Sequence, residues 1–213
     1  MNKNRSLSRR TAIRRATAVV AAGAASFVLA ACGSGDDAAP AATKSPSASS
    51  SAGQGQHNAA DVAFAKGMIP HHRQAVEMAD LAASRAESAE VKQLAAEIKK
   101  AQDPEIKTLS GWLASWGEQA PAEGAMDHSG HGAGGAGGGM MTAEQLAGLE
   151  KSSGKAFDTA FMELMIKHHE GAVAMAKTEQ GRGAFPEAKT MAEAIITSQT
   201  AEIATMNGLL GKH

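Results

Sequence analysis

Paired cysteines are absent from this sequence. Cys32 stands alone among 213 residues, so no intrachain disulfide is possible and the core must hold without one. No apolar run reaches the roughly 20 residues that a membrane-spanning helix needs. The run over residues 16–31 falls short of that length and follows a basic stretch of Lys3, Arg5, Arg9, Arg10, Arg14 and Arg15, the pattern of a targeting segment. A basic surplus is missing too. Without residues 1–31, 15 basic residues remain against 22 acidic ones, a net charge of −7. Such a chain is a poor partner for nucleic acid or for anionic lipid. Nothing pairs a nucleophile with a base in the manner of a hydrolase.

What the chain does contain is one stretch written twice. Residues 61–79 read DVAFAKGMIPHHRQAVEMA and residues 158–176 read DTAFMELMIKHHEGAVAMA, identical at 11 of 19 positions and offset by 97 residues. The register continues without a gap, so that Gln102, Glu105 and Ile106 align with Gln199, Glu202 and Ile203, and Leu94, Ile98, Leu109 and Leu113 with Met191, Ile195, Met206 and Leu210. Each repeat is therefore a His-bearing segment followed by a Q-x-x-E-I segment. A period this long does not suit a solenoid unit. Both segments carry apolar residues at three- and four-residue steps, as one helical face requires. The expected fold is all-α, a four-helix bundle built from two duplicated hairpins.

In chain order, residues 1–31 read as a signal peptide of lipoprotein type. Leu29-Ala30-Ala31-Cys32 resembles a bacterial lipobox, with Cys32 as the lipidated residue, and Ser8-Arg9-Arg10 resembles a twin-arginine signal. Residues 32–57, rich in Ser, Ala, Gly and Pro, read as a flexible tether. The folded domain is expected over 58–213, with repeat 1 at 58–116, a connector at 117–141 and repeat 2 at 142–213. The first helix starts at the N-cap Asn58 and runs to about Arg85, with Pro70 inside it. The second runs from about Ser88 to Trp116, with Pro104 inside it. Thr142-x-x-Gln145 has capping-box spacing, Ser152-Ser153-Gly154 breaks that helix, and a longer one spans about 155–180. Pro186 suits the first turn of the last helix, which ends near Leu210.

The duplicated segment has the chemistry of a soft metal site. Thioether and imidazole together favour copper, Cu(I) above all, over Mg or Ca. Met68 precedes His71 by three residues and His72 by four, and Met78 follows His71 by seven. These offsets place the side chains on adjacent turns of one face, and the small Ala75 between them leaves room for an ion. Met165, His168, His169 and Met175 repeat the arrangement. Burying four imidazoles without a ligand leaves many polar groups to satisfy. Gln102, Glu105, Gln199 and Glu202 are candidates to accept from the free ring N–H of a metal-bound His. Met126, His128, His131, Met140 and Met141 give the connector possible ligands of its own. Against this stands a plainer reading in which the Met stripe is ordinary core.

The paired M-x-x-H-H segments, each followed by Q-x-x-E-I, resemble the domain-of-unknown-function family numbered 305 over about residues 58–213. The resemblance implies a ferritin-like helical bundle, and for some members export and a link to copper binding and copper resistance. Carried over to this sequence, it implicates His71, His72, His168 and His169 with Met68 and Met165. Pro70, present in one copy only, and the Gly-rich connector depart from the pattern. The expected protein is an exported, lipid-anchored copper binder facing outside the cytoplasm, not an enzyme, that sequesters copper or hands it on. One alternative is a non-metal scaffold that binds a protein partner. The other is a di-metal oxidase, which needs Glu-x-x-His on two helices. Positions 68, 69, 165 and 166 are Met, Ile, Met and Ile, and that argues against the oxidase.

Overall fold

The computed structural model describes residues 56–122 and 138–212, and all of them belong to one compact unit. The expected signal peptide, Cys32, most of the expected tether and the connector residues Met126, His128 and His131 lie outside the described residues. The elements are helices α1 (Ala59–Arg85), α2 (Ala89–Ser115), α3 (Ala143–Lys151), α4 (Gly154–Arg182) and α5 (Pro186–Leu209), with no strand among the described residues.

Local chemistry sets the ends. Asn58 Oδ1 accepts from the N–H of Ala60 at 2.7 Å and of Asp61 at 3.2 Å, and Asp61 returns the favour by accepting from the N–H of Asn58 at 2.6 Å. This reciprocal box satisfies donors that a helix start leaves unpaired. Ser88 caps α2 through the N–H of Val91, and Thr142 and Gln145 form the second capping box at α3. Gly154 follows the break after α3 with φ of 62°, a left-handed conformation that costs glycine nothing. Pro186 opens α5. α1 and α2 run through Pro70 and Pro104 as single helices.

α1 pairs with α2, and α4 with α5, as two hairpins that meet chiefly through α1 against α4. The expected bundle of two hairpins is therefore present, and the short α3, packed on α1 and α4, is an addition to it. The core falls into two apolar clusters. Phe161, Met165, Leu94, Ile98 and Met206 belong to one. Their repeat-mates Phe64, Met68, Ile195 and Leu109 belong to the other, with Met191 packed against it. Each repeat thus fills half of each cluster, which is the signature of a two-fold relation between the hairpins. Fully burying a side chain such as Phe64 or Phe161 contributes on the order of 2–3 kcal/mol.

Two aspartates tie the hairpins across this relation. Asp61 of α1 accepts from the N–H of Ala184 and Phe185, at the entrance to α5. Its mate Asp158 of α4 accepts from the N–H of Glu87 and Ser88, at the entrance to α2.

Candidate metal site

Between the two apolar clusters lies a polar band. His71, His72, His168, His169, Gln102 and Gln199 are all buried, none of them more than 3% exposed. The helical offset of the sequence motif puts both histidines of each pair inward, and the α1–α4 contact brings the pairs together. His71 and His168 stand ring to ring, with centroids 3.8 Å apart and planes at 43°. His168 and His169 are 6.4 Å apart.

The outer partners repeat with the sequence. His72 Nε2 lies 2.8 Å from Glu105 Oε2, and His169 Nε2 lies 2.6 Å from Glu202 Oε2. His71 Nε2 lies 2.9 Å from the carbonyl oxygen of Gly138. Carboxylate and carbonyl oxygens accept, so these three Nε2 atoms donate and the proton sits on Nε2. The Nδ1 atoms then carry lone pairs. All four Nδ1 atoms, and His168 Nε2 as well, are buried without a hydrogen-bond partner. Unpartnered buried imidazole nitrogens are costly, and a bound cation of matching softness would satisfy those that carry a lone pair, one on each ring. The donor set therefore fits a metal ion.

The electrostatics keep the central rings of His71 and His168 neutral. Burial pushes His71 down to about 3, with the field of His72 adding to the shift and the hydrogen bond to Gly138 opposing it. Burial also holds His168 well below the usual histidine range, and the fields of His71, His169 and His72 push the same way. A neutral imidazole is the form that ligates.

The other candidate residues take several positions. Met68 and Met165 are fully buried one turn before the histidines, in opposite clusters. Met78 is buried, and Met175 is half-buried and reaches over Gly67 of α1. The Q-x-x-E-I segments divide their labour. Glu105 and Glu202 meet the histidines, whereas Gln102 Oε1 and Gln199 Oε1 are buried without a partner. Met140 is half-buried and Met141 is buried in the first apolar cluster. No group of three or more His, Cys, Asp or Glu side chains among the described residues forms a metal cage. The four histidines thus assemble as a close central pair, His71 and His168, flanked by two carboxylate-bound rings, and not as a single four-histidine cage.

Two contributors escaped the sequence reading. Gln74 clamps the end of the connector: its amide donates to Met141 O at 3.0 Å and accepts from Met141 N–H at 2.7 Å. Gly171, at the matching position of repeat 2, lies under the Gly138 backbone, where a Cβ would come within 1.8 Å of Gly138 O. The signal was the mismatch of Gln74 with Gly171 inside an otherwise similar repeat.

A family model described as "Domain of unknown function (DUF305)" matches residues 61–210. A DUF305 protein of Streptomyces coelicolor, described as secreted, is 33% identical with a TM-score of 0.63 and covers 72% of this chain and 93% of its own. A DUF305 fragment from Deinococcus radiodurans is 29% identical with a TM-score of 0.61, over 76% of this chain and all of its own. CopM in its Cu(II)-bound form is 34% identical with a TM-score of 0.60, over 70% of this chain and 94% of its own. CopM is also known in Cu(I)-bound and Ag-bound forms. No curated protein matches the chain significantly. With a family match over most of its length and a duplicated hairpin that buries the paired histidines, this chain belongs to the DUF305 family.

Proposed function

We propose that the protein binds copper outside the cytoplasm, from a lipid anchor at Cys32, and sequesters it or hands it on. The observation that carries this reading is the buried set of imidazole nitrogens without partners: Nδ1 of His71, His72, His168 and His169, with Nε2 of His168. The likeness to CopM, which has been obtained with Cu(I), Cu(II) and Ag bound, supports copper as the ion. The likeness to a secreted relative supports the location. Met68 and Met165, buried one turn from the histidines, would supply the soft ligands that favour Cu(I).

The residues divide into two roles. His71 and His168 form the central pair that would hold the ion. Glu105 and Glu202 accept from the Nε2–H of His72 and His169, orienting each ring and raising its basicity at Nδ1. We read the protein as a binder and not an enzyme, because neither histidine pair is preceded by Glu at the i−3 position that a di-metal oxidase uses.

The test is an anaerobic Cu(I) titration of the full-length chain against a chromogenic chelator, beside a variant with His71, His72, His168 and His169 all changed to Gln. Tight binding by the parent and its loss in the variant support the reading. Equal binding by both assigns the ion to the connector. If neither competes with the chelator, copper is the wrong ligand and a partner-binding scaffold takes its place.

A further inference from the structure

The two repeats differ where they should not if symmetry alone mattered. After the histidine pair, repeat 1 has Arg73-Gln74 and repeat 2 has Glu170-Gly171. The structure ties both differences to the connector. Arg73 donates to the carbonyls of Pro121 and Ala122, where the connector leaves. Gln74 grips the backbone of Met141, where it returns. Glu170 could not donate in this way, and Gly171 has no side chain to grip with.

Repeat 2 instead supplies a notch. Between the Gln74 grip and the α4 surface, residues 138–141 form a strap that crosses from α1 to α4 beside the His71–His168 pair. Gly139 has φ of 80°, and a Cβ there would lie 2.4 Å from the carbonyl oxygen of Lys167 and 3.0 Å from that of His168. A side chain at Gly171 would strike the backbone of Gly138. Gly139 and Gly171 therefore let two backbones touch, and that contact sets Gly138 O at 2.9 Å from His71 Nε2. His168, the mate of His71, makes no hydrogen bond at either ring nitrogen.

We propose that the strap is the positioning element of the metal site: Gln74, Gly139 and Gly171 seat the Gly138 carbonyl on His71, which fixes the His71 proton on Nε2, presents Nδ1 to the ion and covers the histidine pair. The role in metal handling rests on the copper reading above, whereas the tautomer does not. An apo strap of this kind does for His71 what Glu105 and Glu202 do for His72 and His169. It also makes the two central histidines unequal. His71 offers Nδ1 alone, whereas His168 can place its single lone pair on either nitrogen. Exchange of the ion then requires the strap to lift, with loss of the Gly138 hydrogen bond and the Gln74 grip.

The experiment uses the full-length, 15N-labelled chain without metal, and reads the His71 ring nitrogens by two-bond proton–nitrogen correlation. His71 is expected as the Nε2–H tautomer in the parent. In Gln74→Ala, and separately in Gly171→Ala, it is expected as a mixture of tautomers. Leu113→Ala, which opens a cavity in the second apolar cluster, to which no strap residue belongs, should lower the melting temperature and leave the tautomer alone. A second reading follows transfer of bound Cu(I) to bicinchoninate. Both strap variants should release the ion about tenfold faster than the parent, the equivalent of one hydrogen bond. A parent His71 protonated on Nδ1 overturns the proposal, as does a parent-like tautomer in both strap variants. Should Gly171→Ala not fold, Gln74→Ala alone decides. Should the parent bind no Cu(I), the copper reading fails, while the tautomer data still decide whether the strap positions His71.

Discussion

Glu179 of α4 is buried against Asp61 of α1, with 1% of its surface exposed. Its carboxyl is pushed up to about 8, first by burial and then by the neighbouring Asp61 carboxylate. Burial would raise Asp61 as well. The neighbouring Glu179 carboxyl and the hydrogen bonds from the backbone N–H of Phe185, Asn58 and Ala184 outweigh it, and Asp61 lies below its ordinary value. At neutral pH the pair holds one proton, on Glu179, beside the Asp61 carboxylate. Glu179 has no counterpart in repeat 1, where the matching residue is Ala82.

A pH dependence follows from this pair. The folded chain keeps a proton on Glu179 up to about 8, whereas the unfolded chain loses it near the ordinary value of 4.5. The native state therefore binds more protons across that window, and stability must fall as pH rises through it. Melting temperature followed by circular dichroism should decline from pH 5 to pH 9 in the parent. The decline should be shallower in Glu179→Gln, which keeps the shape of the side chain without titrating. Parallel profiles for the two proteins would rule out Glu179 as the source.

The aspartate ties predict a paired stability effect. Asp61→Ala leaves the N–H groups of Ala184 and Phe185 without their acceptor, and Asp158→Ala does the same for Glu87 and Ser88. Losing charge-assisted bonds to partly buried donors costs about 2–3 kcal/mol. Each variant should lower the unfolding free energy by that amount, seen as a lower urea midpoint with an unchanged m-value. The α1 variant should lose somewhat more, because Asp61 also closes the Asn58 capping box. A midpoint unchanged in both would mean that the ties are incidental.

The carboxylates behind the histidines predict a change in affinity. Glu105→Ala and Glu202→Ala each remove the acceptor for a ring Nε2–H. Losing such a partner weakens metal binding by about 10–100-fold. Competition against a chelator should show that loss in each variant, and the double variant should lose more than either. An affinity equal to the parent's would reduce these ion pairs to core structure.

Met68 and Met165 permit a sharper division between ligand and core. Leucine conserves their volume, so Met68→Leu and Met165→Leu should each cost less than about 1.5 kcal/mol of stability. If the thioethers hold the ion, Cu(I) affinity should fall while the fold persists. An affinity that survives both changes would return the methionines to packing, as the plainer reading of the stripe has it.

Much of the fold was legible because its signals are local. Asn58, Ser88 and Thr142 are capping residues whose side chains reach only two or three residues along the chain, and their positions hold within the structure. Pro186 opens α5 for an equally local reason. The last turn of α4 ran longer than expected, to Arg182, because Gly181 continues the helix and the chain turns only at Gly183, whose N–H bonds the Glu179 carbonyl. The short α3 followed from its capping box, but nothing in its sequence said that it would lie against α1 and α4.

The sequence by itself determined the helices, the duplication and the inward face that carries both histidine pairs, since helical period and repeat register are properties of neighbours along the chain. Only the tertiary structure decided which rings meet. It set His71 against His168, gave Glu105 and Glu202 to the other two histidines, left the Oε1 atoms of Gln102 and Gln199 without partners, and laid the Gly138 carbonyl on His71. Those choices depend on how α1 packs on α4 and on a notch at Gly171 that lets two backbones touch. Neither has a signature within one helix, because each is a contact between segments that the chain separates by dozens of residues.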